Sequence, residues 1–178
     1  MGDSLSVRQI EEQDWEEIVL LESRAYAPLG LSEERAALES RAEASPTTCF
    51  VLARGPSVAG YLLALPYPRF RYPGLGRPER AGFQSDNLHL HDLVVADQWR
   101  GQGFAGLLLG RLLAVARERR HAHLSLVAVG GSGAFWSRRG FRSHHEVDPP
   151  RHYGDDAVYM SRPVGDPPDG PATHHRGD

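Results

Sequence analysis

Residues 88–106, LHLHDLVVADQWRGQGFAG, decide the fold and raise the functional question. Their first part alternates apolar residues with two histidines, which predicts a β-strand over 88–96. Apolar residues then recur at helical spacing, which predicts a helix over 103–121. The turn between them contains Gly101 and Gly103 and leaves the N–H groups of the helix start unpaired, where they favour an anion such as a phosphate.

Two common phosphate-binding turns do not fit this stretch. A P-loop requires a lysine after its last glycine, and all 20 basic residues of this chain are arginines. A dinucleotide-binding turn follows the first strand of a parallel set and carries a third spaced glycine. This turn follows the fourth predicted strand and lacks that glycine, so it is either another class of anion site or only structural.

The chain on either side predicts one α/β domain over residues 1–163, a mixed sheet with helices on both faces. Residues 67–86 predict a long loop, and residues 164–178 predict a disordered tail because they hold almost no large apolar side chain. The other predicted elements are strand 5–10, helix 14–25, helix 32–44 with Ser32 as its N-cap, a hairpin within 49–66, strand 123–129, a short helix 132–140, and final strands 141–147 and 156–163.

Composition excludes several classes of protein. The 178 residues carry a net charge of −3, which argues against a nucleic-acid binder. The single cysteine, Cys49, excludes an intrachain disulfide and is expected to be a small buried hydrophobe. No secretory signal is visible, and no apolar run is long enough to cross a membrane. We therefore expect a cytoplasmic monomer or homodimer that binds neither nucleic acid nor membrane.

The motifs from residue 88 to 141 resemble those of the GNAT superfamily of N-acetyltransferases. The family signature is Q/R-x-x-G-x-G/A, and Gln98, Gly101 and Gly103 stand at its positions. The strands LHLHDLVV and HLSLVAV and the segment AFWSRRGF add to the resemblance, which spans roughly residues 5–162. It implies a mostly antiparallel central sheet, acetyl-CoA as the acyl donor, and no metal.

The resemblance also implies how acetyl-CoA binds. The amides of the turn would hold the pyrophosphate, the strand would splay from its neighbour and pair with the pantetheine arm, and a backbone N–H near Val94 would polarise the thioester carbonyl. Arg100 would help at the phosphates; its alternative is a solvated turn residue. The implied cofactor-binding residues are Leu93, Val94, Val95, Arg100, Gly101, Gln102, Gly103, Phe104, Ala105 and Gly106.

Two histidines of the strand are candidates for proton transfer. Within the family, the HLH strand is similar to that of the arylalkylamine (serotonin) N-acetyltransferases, which implies that His89 and His91 relay the proton of the amine. The chemistry agrees, because a protonated amine must lose a proton before it attacks a thioester, and imidazole is a suitable acceptor near pH 7. Strand alternation places the two rings on one face, about 6–7 Å apart.

Alternatives to this role remain open. Either histidine is equally explained as a core residue with a satisfied hydrogen bond, and a zinc site is a poorer explanation because no third ligand is evident. The other seven histidines lie mostly in predicted turns, element ends or the tail, and we expect them at the surface: His121, His123, His144, His145, His152, His174 and His175.

Trp136 departs from the family pattern. The resemblance implies a tyrosine at this position that protonates the departing thiolate, but an indole N–H does not give up its proton at neutral pH. Either the thiolate leaves without a proton, since its pKa should be near 8.5 by analogy with cysteine, or Ser137, Tyr153 or Tyr159 substitutes.

The substrate side offers weaker signals. Tyr67, Phe70 and Tyr72 of the long loop would suit an aryl- or alkylamine, unless the loop is simply solvated. Glu33 and Glu34 could attract an amine, or they could simply stabilise the first turn of a helix through its dipole. We expect an acetyl-CoA-dependent N-acetyltransferase acting on a small primary amine by direct attack, with a peptide N-terminus or lysine as the second substrate class. A non-catalytic acyl-CoA-binding module is the rival explanation.

Overall fold

The computed structural model describes residues 4–80, 82–148 and 151–165. The strands are β1 (Leu5–Gln9), β2 (Phe50–Arg54), β3 (Ser57–Pro66), β4 (Asn87–Val95), β5 (His123–Ala128), β6 (Arg142–Ser143) and β7 (Val158–Pro163). The helices are α1 (Trp15–Tyr26), α2 (Arg35–Ala44), α3 (Phe104–Glu118) and α4 (Gly133–Ser137). The strands form one sheet in the order β1-β2-β3-β4-β5-β7-β6, in which β4 and β5 are parallel and the other neighbours are antiparallel.

Helices cover both faces of this sheet, so the predicted fold class is confirmed. On one face, α3 buries Leu108, Leu112 and Ala116 against the sheet. On the other face, Ile18 of α1 and Leu38 of α2 pack against β3. Each such leucine or isoleucine stabilises the fold by about 1.5–3 kcal/mol relative to an exposed position.

Several predicted boundaries differ from the structure, and three of the differences are instructive. Helix α2 begins at Arg35 because the hydroxyl of Ser32 donates to Glu22 Oε2 (2.7 Å) and so does not cap a helix. The strand predicted at 141–147 is only two residues long, since His144 turns to bond Ser161 Oγ (2.6 Å). Val164, predicted to start the disordered tail, is buried, while residues 166–178 lie outside the described residues.

Strand β4 contains a β-bulge at His91. Its register with β3 pairs Leu63 with Asp92 and Ala64 with Leu90, so His91 has no partner. Such an extra residue shifts the alternation of the side chains by one. Leu90 before the bulge faces the α3 layer, whereas Asp92 after it bonds Tyr61 in the layer of α1 and α2.

Strands β4 and β5 separate soon after they meet. Their pairing runs only from Asn87 opposite His123 to His89 opposite Ser125. Beyond His89, β4 continues to Val95 and β5 continues to Ala128 without pairing to each other. The splayed strand expected from the family resemblance is therefore present, and the separation opens a cleft in the sheet.

Candidate active site

A cleft of about 540 Å³ lies where β4 and β5 diverge. Its walls come from the end of α1, the second half of β4, the glycine turn, β5 and α4. Eight of the ten predicted cofactor residues line it: Leu93, Val94, Val95, Arg100, Gly101, Gly103, Phe104 and Ala105. Gln102 and Gly106 are exposed and do not line it.

The backbone N–H groups of β4 face alternate sides. The N–H of Ala96 donates to Ala59 O on the β3 side (2.9 Å). In an antiparallel ladder every second residue forms such a hydrogen-bonded pair, so Val94 and Asp92 are also hydrogen-bonded to β3. A Cβ on Gly60 would lie 2.7 Å from Val94 O, in keeping with a Val94 carbonyl that faces β3. The N–H groups of Leu93 and Val95 therefore point away from β3, toward the cleft. The polarising amide expected near Val94 is better assigned to its neighbour Leu93.

The glycine turn adopts a backbone that favours glycine. Gly101 and Gly103 have φ angles of 77° and 80°, in the left-handed region, and Gly103 is the N-cap of α3. A Cβ at either position would meet nothing within 4 Å, so the backbone angle and not space requires glycine. The cation of Arg100 lies 3.2 Å from Asp97 and is largely exposed at the rim. This arrangement suits an anion at the start of α3.

His91 is held by a buried carboxylate. Its Nε2 lies 2.6 Å from Glu33 Oε1, and Glu33 Oε2 accepts from Arg41 (2.9 Å) and from the N–H of Gly76 (2.6 Å). Burial alone would raise the pKa of Glu33, but the hydrogen bond from His91 and the charges of His91 and Arg41 hold that pKa at about 2. A charged carboxylate at Nε2 places the proton of neutral His91 on that nitrogen. The other nitrogen, Nδ1, has no hydrogen-bond partner among the described residues and can accept a proton.

Two further buried carboxyl groups lie near this pair. Asp92 accepts from the hydroxyl of Tyr61 (2.9 Å), and burial together with the charge of Glu33 raises its pKa. Glu22 accepts from Ser32 (2.7 Å) and from the N–H of Glu33 (2.8 Å), and burial raises its pKa as well. The surroundings of His91 are thus acidic.

His89 occupies a different environment from His91. It is 1% exposed, its Nδ1 lies 2.9 Å from Ser125 Oγ, and it does not line the cleft. Burial, followed by the charges of His91 and Arg41, holds its pKa well below the usual value, so the ring is neutral at pH 7. The two histidine rings are 6.5 Å apart, as the strand spacing predicts.

Trp136 lines the cleft and packs edge-on against Phe141, with ring centres 5.4 Å apart. The three candidates for replacing the family tyrosine do not line the cleft: Ser137, Tyr153 and Tyr159. Tyr26, the last residue of α1, does line it and was missed. No local sequence signal marks this tyrosine, because its place depends on how α1 packs beside β4.

The predicted substrate residues lie outside the cleft. Tyr67 packs against Phe83 (4.7 Å between ring centres) and lies 6.0 Å from the ring of His89. Phe70 donates its N–H to the hydroxyl of Tyr159 (2.8 Å), and Tyr72 donates its hydroxyl to the carbonyl of Asp148 (2.6 Å). These residues form an aromatic cluster behind His89, not a wall of the cleft.

The described ranges contain neither a metal-binding cluster nor a membrane-spanning helix. No group of three or more His, Cys, Asp or Glu side chains there is arranged to hold a metal ion. No helix in those ranges combines the length and apolar character needed to span a membrane.

Solved structures share this fold at low sequence identity. Ard1 from Thermoplasma volcanium superposes with a TM-score of 0.71 at 18% identity, covering 91% of this chain and 99% of that one. The ribosomal-protein-S18-alanine N-acetyltransferase from Escherichia coli gives 0.65 at 17% identity, covering 93% and 97%. N-acetylglutamate synthase from Neisseria gonorrhoeae, complexed with coenzyme A and N-acetyl-glutamate, gives 0.70 at 19% identity, and this chain spans 36% of its length and 93% of its own.

Sequence comparison gives a more direct result. No curated protein matched the sequence. A family model described as "Acetyltransferase (GNAT) family" matches residues 7–141, which run from within β1 through the cleft and α4. Since that match covers well over half of its residues, this chain belongs to the acetyltransferase (GNAT) family.

Proposed function

We propose that this chain is a cytoplasmic, acetyl-CoA-dependent N-acetyltransferase that acetylates a small primary aryl- or alkylamine. Membership of the family implies acyltransferase activity, and the acceptor is the open question. The observation that carries the proposal is the contact of 2.6 Å between His91 and Glu33, beside the free amides of Leu93 and Val95. A proton acceptor, His91, thus lies in the same cleft as the backbone amides that would bind the thioester.

The donor binds along β4 and the glycine turn in this proposal. The N–H groups of the turn and the start of α3 hold the pyrophosphate, with Arg100 at the rim. The backbone groups of Leu93 and Val95 are not paired with β5. The pantetheine arm binds beside them in the position of a neighbouring strand. The N–H of Leu93 then donates to the thioester carbonyl and stabilises the negative charge that develops on it.

The acceptor loses its proton to His91. Nδ1 of the neutral ring takes a proton from the ammonium group, and the freed nitrogen lone pair attacks the carbonyl carbon. A C–N bond forms, the C–S bond breaks, and coenzyme A leaves as a thiolate that takes a proton from water. Glu33 stabilises the imidazolium and fixes the tautomer, as a carboxylate does in a hydrolase triad. His89 stays neutral behind His91 and takes no part in the proton transfer, so this mechanism uses one histidine of the expected relay.

The acidic surroundings favour a cationic acceptor. Glu33 is charged, and the carboxyl groups of Glu22 and Asp92 lie close to it and to His91. This is why a small arylalkylamine is placed ahead of an amino acid, whose carboxylate these groups would repel.

Release of free thiol tests the proposal. The protein is incubated with acetyl-CoA and a panel of phenethylamine, tryptamine, linear alkylamines, free amino acids, and peptides with a free N-terminus or an internal lysine. We expect the highest kcat/KM for an arylalkylamine or alkylamine. Fastest turnover of a peptide would instead assign the chain to the protein acetyltransferases. Acetyl-CoA binding by calorimetry without thiol release from any acceptor would support the non-catalytic binding module.

A further inference from the structure

One tyrosine lines the cleft among the described residues, and it is Tyr26. It ends α1 and stands with Ala25 and Leu29 on the wall that faces the unpaired half of β4. The tyrosine that the family resemblance implies at position 136 is a tryptophan here. A phenol therefore reaches the cleft from a different element of the fold.

Tyr26 and Leu93 line the same cleft. The pairing of β4 with β3 turns the N–H of Leu93 away from β3 and into this cleft, where β5 leaves it without a strand partner. Burial raises the pKa of Tyr26 and the N–H of Leu93 lowers it in part, which agrees with a phenol oxygen close to that N–H. These observations bring the phenol within reach of the position where this amide would receive a thioester carbonyl.

Tyr26 keeps its proton at neutral pH. Burial raises its pKa well above the usual value, and the nearby carboxyl groups of Asp92, Glu22 and Glu33 raise it further. A phenol in this state is a hydrogen-bond donor and not a base. It is suited to an oxygen atom that becomes negatively charged.

We propose that Tyr26 is a catalytic residue whose hydroxyl donates a hydrogen bond to the thioester oxygen, next to the N–H of Leu93. The inference rests on the proposed binding of acetyl-CoA in this cleft. When the thioester enters, its oxygen accepts from the N–H of Leu93, and the phenol proton turns toward the same oxygen. As the amine attacks, the carbonyl π pair moves onto this oxygen, and it returns when the C–S bond breaks. The phenol proton stays on Tyr26 throughout.

This role differs from that of the missing family tyrosine. A proton donor to sulfur would change the leaving group, whereas Tyr26 polarises the carbonyl. The coenzyme A thiolate is a tolerable leaving group without a proton, so Trp136 need not be replaced by another acid.

Infrared spectroscopy of the bound thioester tests the role directly. With isotope-labelled acetyl-CoA bound, the carbonyl band of the parent protein should lie below that of free acetyl-CoA. In Tyr26→Phe the band should move part of the way back, because the N–H of Leu93 still donates, while coenzyme A binds as before. Tyr153→Phe removes a buried hydroxyl outside the cleft and should leave the band at its position in the parent protein.

Kinetics provide a second measurement. Loss of one donor to an oxyanion lowers kcat on the order of 10²–10³-fold, and we expect that loss for Tyr26→Phe with little change in KM for acetyl-CoA. A lowered kcat with an unchanged carbonyl band would overturn the inference, because Tyr26 would then act elsewhere. If Tyr26→Phe does not fold, a fluorinated tyrosine at this position, which is a stronger donor, should lower the band further, and no shift would overturn the inference.

The two proposals fail separately. The infrared measurement needs only bound acetyl-CoA, so it remains valid if no amine is ever accepted. Conversely, an unchanged band in Tyr26→Phe would leave the roles of His91 and of the Leu93 amide intact.

Discussion

Glu33 Oε1 lies 2.6 Å from Nε2 of His91, across 58 residues of sequence. The carboxylate is buried, charged and also bound to Arg41, so it fixes one tautomer of the imidazole. In the proposed mechanism this contact distinguishes His91 from His89, which bonds only a serine hydroxyl.

His91 and His89 should respond differently to removal. His91→Ala should lower kcat by roughly 10²–10⁴-fold at pH 7, the usual contribution of a general base, while acetyl-CoA still binds. His89→Ala should mainly lower the free energy of unfolding, by about 1–3 kcal/mol, because it leaves a buried hydrogen bond unmade. Steady-state kinetics and urea unfolding measure the two effects. His145→Ala, at an exposed position, is the control, and equal kinetic losses at 89 and 91 would contradict the assignment.

Glu33 should make stability depend on acid pH. Its pKa is about 2 in the folded protein and 4.5 in an unstructured chain, so its contribution is present above pH 4.5 and is lost as the pH falls toward 2. The shift corresponds to about 3 kcal/mol. Urea unfolding between pH 3 and 6 should show this loss in the parent protein, and Glu33→Gln should remove most of it.

The control for that experiment is Glu34→Gln, a neighbouring exposed carboxylate whose loss should leave the pH dependence as it is. Glu22 and Asp92 act in the opposite direction, since their raised pKa values favour the folded state when they are protonated. Their contribution declines as the pH rises through those values. A Glu33→Gln variant with the same pH dependence of stability as the parent protein would contradict the role of Glu33.

Any side chain at position 103 should weaken the binding of the acyl donor, acetyl-CoA. An alanine at φ 80° costs about 1–2 kcal/mol, and the turn relieves that strain by moving its N–H groups away from the phosphates. Gly103→Ala should therefore weaken the binding of coenzyme A in calorimetry. The matched control is Gly110→Ala within α3, where a Cβ meets nothing within 4 Å and helix propensity should add about 0.5–1 kcal/mol of stability. Equal binding by the two variants would exclude a role for the turn in donor binding.

Cys49 should not react with thiol reagents in the folded protein. It is 1% exposed, and burial raises its pKa to about 12, so almost no thiolate forms at neutral pH. A colorimetric thiol reagent should detect no protein thiol until denaturant is added, and then one per chain. Rapid labelling of native protein would show that the packing around Cys49 opens. The assay for released coenzyme A consequently has no background from the enzyme.

Local patterns predicted most of the fold and about half of the candidate site. The strand, the turn and α3 follow from alternation, glycine positions and helical spacing within one stretch of sequence. The eight cofactor residues that line the cleft were predictable for the same reason, because they are neighbours in the chain.

Long-range contacts account for what the sequence did not predict. Glu33 looked like the first turn of a helix, and only the tertiary fold brings its carboxylate to His91. Ser32 had the residue type of an N-cap, but its hydroxyl bonds Glu22 across a loop. Tyr72 suited an aromatic substrate by composition, yet composition does not say which way a loop residue turns.

The β-bulge at His91 gives β4 one residue more than a regular ladder with β3 would hold. Deleting His91 would leave Leu90 and Asp92 as neighbours on opposite faces, as they already are, so both core layers would keep their side chains while the imidazole is lost. Deleting Leu93 instead would move Val94 out of the layer of α1 and α2 and turn its N–H away from β3. A deletion in β4 should therefore be mild for the fold at the bulge and far more damaging two residues later, where it misaligns the core and the reaction centre together.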